Sequence, residues 1–260
     1  MRVKFEGAEA DENRLEAYEG LKSLDGILRV ARIATHYAAT GEVRYRAPYT
    51  DLLETQITKI QNGSFEMLFE NISKMVAQAQ AATAKAKANA IISRIIGRGT
   101  GQAEHDELVV DGEVIPPGDI EAMVEAAEGG LKGAHRWIDR DSKKITVIDG
   151  DDTISLDTAT RTYVEEEYIG DEQTRDVSVA ALNVNNKTGR VFLFDEGRTV
   201  PFLVHRDAAG RTITNLSIYL NQYARKTGAK VNIRFRPMTH IDGRIKRLVI
   251  FDCFDIQDAA

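Results

Sequence analysis

The stretch Val231-Asn232-Ile233-Arg234-Phe235-Arg236 places apolar residues at alternate positions with polar or cationic residues between them. A period of two marks a strand with one face in a core and the other in solvent. The same period runs upstream through Val177 to Val184, Arg190 to Phe194, and Val200, Phe202 and Val204. Asn185-Asn186-Lys187-Thr188-Gly189 and Asp195-Glu196-Gly197-Arg198 supply the turns. Glycine and asparagine suit such turns because they tolerate positive φ. Pro201 lies inside the third run and cannot donate to a ladder, so that strand is expected at an edge. Downstream, Asp242-Gly243 is a hairpin signal, and a last strand follows from Arg244 to about Phe254. Leu248 to Phe251 is apolar on both faces. That segment needs a cover from outside, expected from the N-terminal part of the chain.

Between the third and fourth strands the period changes. Ile213, Leu216, Leu220 and Tyr223 share a helical stripe, Thr212 or Thr214 can cap it, and Gly228 can stop it. Five strands with a helix between the third and fourth resemble the OB-fold, a small Greek-key barrel. The resemblance spans roughly residues 176 to 256 and rests on element order. It implies a closed barrel that holds oligonucleotides or docks onto protein. An SH3-like barrel is the other reading of five short strands, and the helix speaks against it.

At 260 residues the chain has room for two domains. Its charge of −6 is unevenly distributed. From residue 171 onward there are 14 Lys+Arg against 10 Asp+Glu, a balance of +4. The preceding residues hold the other 20 and 30, a balance of −10. Such asymmetry points to an anionic partner for the basic part. Cys253 is the sole cysteine, which excludes an internal disulfide and fits a reducing compartment. Met1 to Glu6 lacks the apolar run of a signal peptide, and no window is apolar enough to span a membrane. A cytoplasmic, bacterial-type protein with no membrane partner is therefore expected.

The remainder reads as α+β. The expected division is an acidic domain over residues 1–170, with long helices and a small antiparallel sheet, followed by the mildly basic OB-like barrel over 171–260. Val3 and Phe5 suggest an opening strand. A helix over 12–40 follows from Leu15, Tyr18, Leu21, Leu24 and Leu28, with Gly41 as its stop. Val43 to Tyr49, Glu54 to Ile60 and Ser64 to Glu70 read as a three-stranded meander turning at Asn62-Gly63. Residues 71–97 read as an Ala-rich helix ending in Ile91, Ile92, Ile95 and Ile96. It is either a solvated connector or the contact helix of a homo-oligomer. A loop over 97–107, a hairpin around Asp111-Gly112, a helix capped by Asp119 and two strands around residues 149–152 complete the domain. Residues 157–175 read as the passage between the domains.

The sequence carries little that resembles a catalytic motif. Gly97-Arg98-Gly99-Thr100-Gly101 follows a helix and lacks the Lys-Ser/Thr pair of a phosphate-cradling loop. Asp149, Asp151, Asp152 and Asp157 miss the calcium-loop pattern, since Ile154 and Thr160 stand where Gly and Glu are needed. His36, His105, His135, His205 and His240 show no metal-ligand spacing. No metal or other cofactor is expected. An unrecognised active site around His36, His135 and the acidic turn remains a third hypothesis.

The barrel surface is more informative. Arg190, Phe192 and Phe194 share one face of the second strand. Lys230, Arg234 and Arg236 share one face of the fourth, and Arg244, Lys246 and Arg247 begin the fifth across the hairpin. Cations beside aromatics suit single-stranded nucleic acid, by backbone neutralisation and base stacking. These nine residues are the expected ligand site for single-stranded nucleic acid or a nucleotide, with Arg236, Arg244 and Lys246 expected in solvent. The opposite reading buries Phe192 and Phe194 and turns Val191 and Leu193 outward or against the other domain. The rival function is an oligomeric assembly or adaptor protein, using the barrel and residues 71–97.

Overall fold

The computed structural model describes residues 1–61, 65–74, 78–103, 107–149 and 152–254. They form two compact units, Met1–Glu165 and Glu166–Ala260. The expected turn at Asn62-Gly63, together with His105 and Asp151, lies outside the described residues.

In the first unit, strand β1 (Arg2–Glu6) is the centre of a five-stranded sheet. The other strands are β2 (Leu53–Gln61), β3 (Phe65–Ser73), β6 (Lys144–Asp149) and β7 (Asp152–Leu156), in the order β2-β3-β1-β6-β7. Val3 stands opposite Met67 on one side and Val147 on the other. Val3 and Phe5 are fully buried, as alternation on a half-buried strand requires. The expected meander is thus corrected: two of its strands are β2 and β3, but residues 43–49 are not a strand. The Ala47–Pro48 bond is cis, and Thr50 N–H donates to His36 Nδ1 at 3.0 Å instead of joining a ladder.

Three helices cover the sheet's core. Helix α1 (Ala17–Thr40) begins at Glu16, whose carboxylate accepts from the amides of Tyr18 and Glu19. It begins later than the sequence predicts, because Ala8–Glu12 form a 3-10 turn that ends at Asn13 in the left-handed region, φ 59°. Gly41 closes α1 at φ 72°, as expected of a C-terminal glycine. Helix α2 (Gln78–Gly99) starts later than predicted because β3 continues to Ser73. Its Ile91, Ile92, Ile95 and Ile96 lie in this unit's own core with Ile27, Val30 and Met123. Helix α3 (Pro117–Ala134) opens on Pro116 and not on Asp119. Proline suits a first turn, where its missing donor costs nothing. Asp119 instead accepts the Tyr37 hydroxyl at 2.7 Å. A small hairpin of β4 (Leu108–Val110) and β5 (Glu113–Ile115) precedes α3, and α4 (Thr158–Glu165) ends the unit.

The second unit is a closed five-stranded barrel of OB-like topology. Its strands are β9 (Gln173–Asn183), β10 (Thr188–Leu193), β11 (Arg198–Val204), β12 (Val231–Thr239) and β13 (Ile245–Phe254). They pair in the order β13-β11-β10-β9-β12, and β12 returns to β13. A two-residue strand, β8 (Tyr168–Ile169), adds to β12 at Met238 and Thr239. Helix α5 (Thr212–Ala224) lies between the third and fourth barrel strands and sends Leu216 into the core. Closure leaves the barrel strands without the free edge that Pro201 suggests. β11 bonds antiparallel to β10 and parallel to β13. Val204 N–H donates to Lys187 O and His205 N–H to Ile250 O. Successive amides therefore alternate between the two neighbours, and residue 201 faces β13. Its parallel pairing begins one residue later, at Phe202 and Leu248, so no bond in that ladder is lost.

Candidate functional site

The barrel interior is filled by Val177, Val179, Val191, Leu193, Val200, Phe202, Ile233, Phe235, Leu248 and Ile250. Val191 and Leu193 point inward, so strand alternation turns Arg190, Phe192 and Phe194 outward. Phe194 is 46% exposed. The Phe192 and Phe194 rings meet edge to face, 5.3 Å between centroids and 75° between planes. Lys230 Nζ stands 4.2 Å from the Phe194 centroid, within reach of a cation–π contact. Arg190 is oriented by Thr199, through its hydroxyl at 3.1 Å and its carbonyl at 2.8 Å. These four residues make an outer surface of two aromatic rings with two cations beside them.

The other five expected residues lie elsewhere. In the barrel ring β10 borders β9 and β11, not β12 or β13. The nine candidates therefore divide between separate surfaces. On the β12–β13 surface two of the five cations, Arg234 and Lys246, are compensated from within the barrel unit. Arg234 donates to Glu172 at 3.0 Å. It also stands opposite Asp252, whose carboxyl is held below its usual range first by two hydrogen bonds from Arg211, at 3.1 and 2.8 Å. Lys246 is a correction to the expected exposure. Its side chain is 2% exposed and its ammonium donates to Glu167. A one-residue register shift between Met238 and Thr239 explains why simple alternation misplaces it. Arg244 and Arg247 are half-buried, and Arg236 is exposed.

Contacts that no local pattern announces organise this second surface. Arg236 lies over Phe251 at 5.8 Å, and His205 lies against the same ring at 4.6 Å. This supplies part of the cover that the two-sided apolar segment of β13 requires. The register shift between Arg234 and Phe235 leaves Phe251 as the extra residue. His205 was visible as the last residue of the third run, but its partner was not. Arg211 and Asp252 carried no local signal, since 41 residues separate them.

The histidines of the catalytic hypothesis are buried and bonded to structural groups. His135 donates from Nδ1 to Leu131 O at 2.8 Å and faces Thr160 Oγ1 through Nε2 at 2.9 Å. Burial lowers its pKa, so the neutral ring is favoured. His36 accepts from Thr50 N–H through Nδ1, and burial followed by the Arg44 charge lowers its pKa too. Among the described residues, no group of three or more His, Cys, Asp or Glu side chains is placed to hold a metal ion. Cys253 is fully buried in the barrel, with burial pushing its thiol up to about 12.

Comparison with known families matches two segments. Residues 1–111 are similar to a domain of unknown function (DUF7946), and residues 171–254 to a family of unknown function (DUF7947). The second match covers the five barrel strands and α5. The first stops inside the β4–β5 hairpin, although β6, which pairs with the central β1, lies beyond it. No curated protein and no solved structure matches the chain. No described helix is long and apolar enough to cross a membrane.

Proposed function

We propose that the barrel binds single-stranded nucleic acid on the outer face of β10. Phe192 and Phe194 would stack on bases, and Arg190 and Lys230 would neutralise the backbone. The observation that carries this reading is the exposed Phe194 ring, edge to face with Phe192 and capped by Lys230. Phe194 is exposed and Phe192 half-buried on the outer face, where aromatic rings offer stacking surfaces to bases. In OB-folds the second and third strands are a common oligonucleotide face, and β10 and β11 hold those positions. A nucleotide would use the same surface with one stacking partner fewer.

The test is fluorescence anisotropy with a labelled oligothymidine of about 12 nucleotides. Binding should weaken with salt at a log–log slope near −1.4, about −0.7 for each of two phosphate contacts. Phe194→Ala should weaken it by roughly 5- to 150-fold, the equivalent of about 1–3 kcal/mol per stacked base. Arg236→Glu, on the other surface, should change it little. Absence of salt-sensitive binding at low ionic strength rejects the reading.

The adaptor reading keeps one supporting observation. Tyr168 and Ile169 on β8 and Ile241 in the β12–β13 turn are exposed apolar side chains that a protein partner could cover. The isoleucines of α2 no longer support it, since the first unit's own core uses them.

A further inference from the structure

The two halves of α2 pack differently. Toward its C-terminus, isoleucines fill the space against α1 and α3. Toward its N-terminus it offers Thr83 and Ala84, and the facing end of α1 offers Ala38 and Ala39. Side chains this small cannot fill the gap between two helices, and a cavity of about 510 Å³ remains. That volume lies within the range of small-molecule sites.

Two opposite charges line this cavity. Lys87 is buried, its side chain 8% exposed, and its Nζ lies 2.6 Å from Glu113 Oε1. The ammonium also stands 5.3 Å from the Tyr37 centroid. The Tyr37 hydroxyl donates to Asp119, which fixes that ring in place. An ammonium has three donors, so Glu113 and the ring face leave capacity for another acceptor. Glu113 is 58% exposed and is an acceptor-only group with lone pairs to spare. A buried ammonium is costly unless well paired, yet here its carboxylate partner reaches out into solvent.

We propose that this cavity binds a small zwitterion, a free amino acid, with its carboxylate on Lys87 and its ammonium on Glu113. A simple anion drawn to Lys87 would meet the Glu113 charge, and a simple cation drawn to Glu113 would meet Lys87. A ligand with both charges a few bonds apart satisfies both. Gln80 and Thr83 add neutral hydrogen-bonding groups on the α2 wall, and the alanines leave room for a short side chain. The proposal is independent of the nucleic-acid reading of the barrel.

Isothermal titration of the full chain with a panel of free L-amino acids at up to about 10 mM tests it, a range that reaches dissociation constants in the millimolar range. At least one member with a short side chain should bind. Acetate and ethylamine, each carrying one of the two charges, should bind about tenfold more weakly or not at all. Glu113→Gln should weaken amino-acid binding about tenfold, and so should Ala39→Leu, which fills the cavity without touching the ion pair. Both sites are on the rim, so circular dichroism should show the fold retained. The proposal is overturned if no amino acid binds, if acetate binds as well as the best amino acid, or if both variants bind like the parent.

Discussion

Replacing Gly26 by alanine should destabilise the first unit, while the same change at Gly129 should not. Gly26 lies in α1 where it crosses α3. A Cβ built on it would stand 2.3 Å from Ala134 N, 2.4 Å from Gly130 O and 2.7 Å from Gly133 C. All three are backbone atoms, so no side-chain rotation can make room. Carbon contacts are comfortable near 3.5–4.0 Å, so the helices would have to separate by roughly 1 Å or more. Overpacking of this kind costs about 1–3 kcal/mol and occasionally more, and here the upper end is expected. Alanine returns about 1 kcal/mol through its helix propensity. The net loss is then about 2 kcal/mol, or roughly 4–8 °C in Tm for a unit of this size. Gly129 sits in the same helix as the contacted backbone, but its Cβ would meet only the flexible end of Arg29, at 3.5 Å. Gly129→Ala should therefore raise stability by up to about 1 kcal/mol. Thermal and urea unfolding followed by circular dichroism give both values. If Gly26→Ala proved neutral, or stabilised the protein as Gly129→Ala should, the close α1–α3 crossing would be wrong.

Two further outcomes follow from the buried charges. His36 and His135 have lowered pKa values when folded, so the unfolded chain binds more protons as pH falls through about 6.5, and stability should drop below that point by at most about 2.7 kcal/mol per pH unit. The depressed carboxyls, such as Asp252, contribute stability above their unfolded range near 4 and lose it only below. Urea midpoints that stay level from pH 8 to about 5 would refute the histidine account. His36→Asn, whose amide oxygen can still accept from Thr50 N–H, should flatten part of the slope. In the barrel, Lys246→Glu sets a buried carboxylate against Glu167 and should cost more than about 3 kcal/mol. Arg236→Glu on the exposed surface should stay within about 1 kcal/mol of the parent, so equal effects in urea unfolding would contradict the assigned burial.

The barrel was legible because its information is local. Each strand announces itself by a period of two, the Asp242-Gly243 turn joins the last pair, and the change of period over Ile213 to Tyr223 places the helix. The first unit was less legible because its sheet is assembled from distant segments. β1 pairs with β6 about 140 residues away, and nothing in either stretch names the other. Gly26 carries no propensity signal for a helix crossing; its reason is the backbone of α3. Val43 to Tyr49 has strand-like alternation, yet the His36–Thr50 bond and packing of Val43, Tyr45 and Tyr49 onto the core override it.

The candidate site divides along the same line. Which residues of β10 face outward follows from alternation, so Arg190, Phe192 and Phe194 were found correctly as one face. Which cations remain available to a ligand does not, because that depends on carboxylates far along the chain. Glu167 lies 79 residues before Lys246, and Glu172 lies 62 before Arg234. A charge count assigns +4 to this part of the sequence, but a count cannot tell a cation facing solvent from one already neutralised by its own fold. Pairing takes up Arg234 and Lys246, whereas Lys230 stands over the exposed Phe194 ring. In that pair a cation and an exposed ring sit together, Phe194 just past the end of β10 and Lys230 just before β12. The functional reading thereby narrows from a broad basic face to a surface of four side chains, small enough for single substitutions to decide.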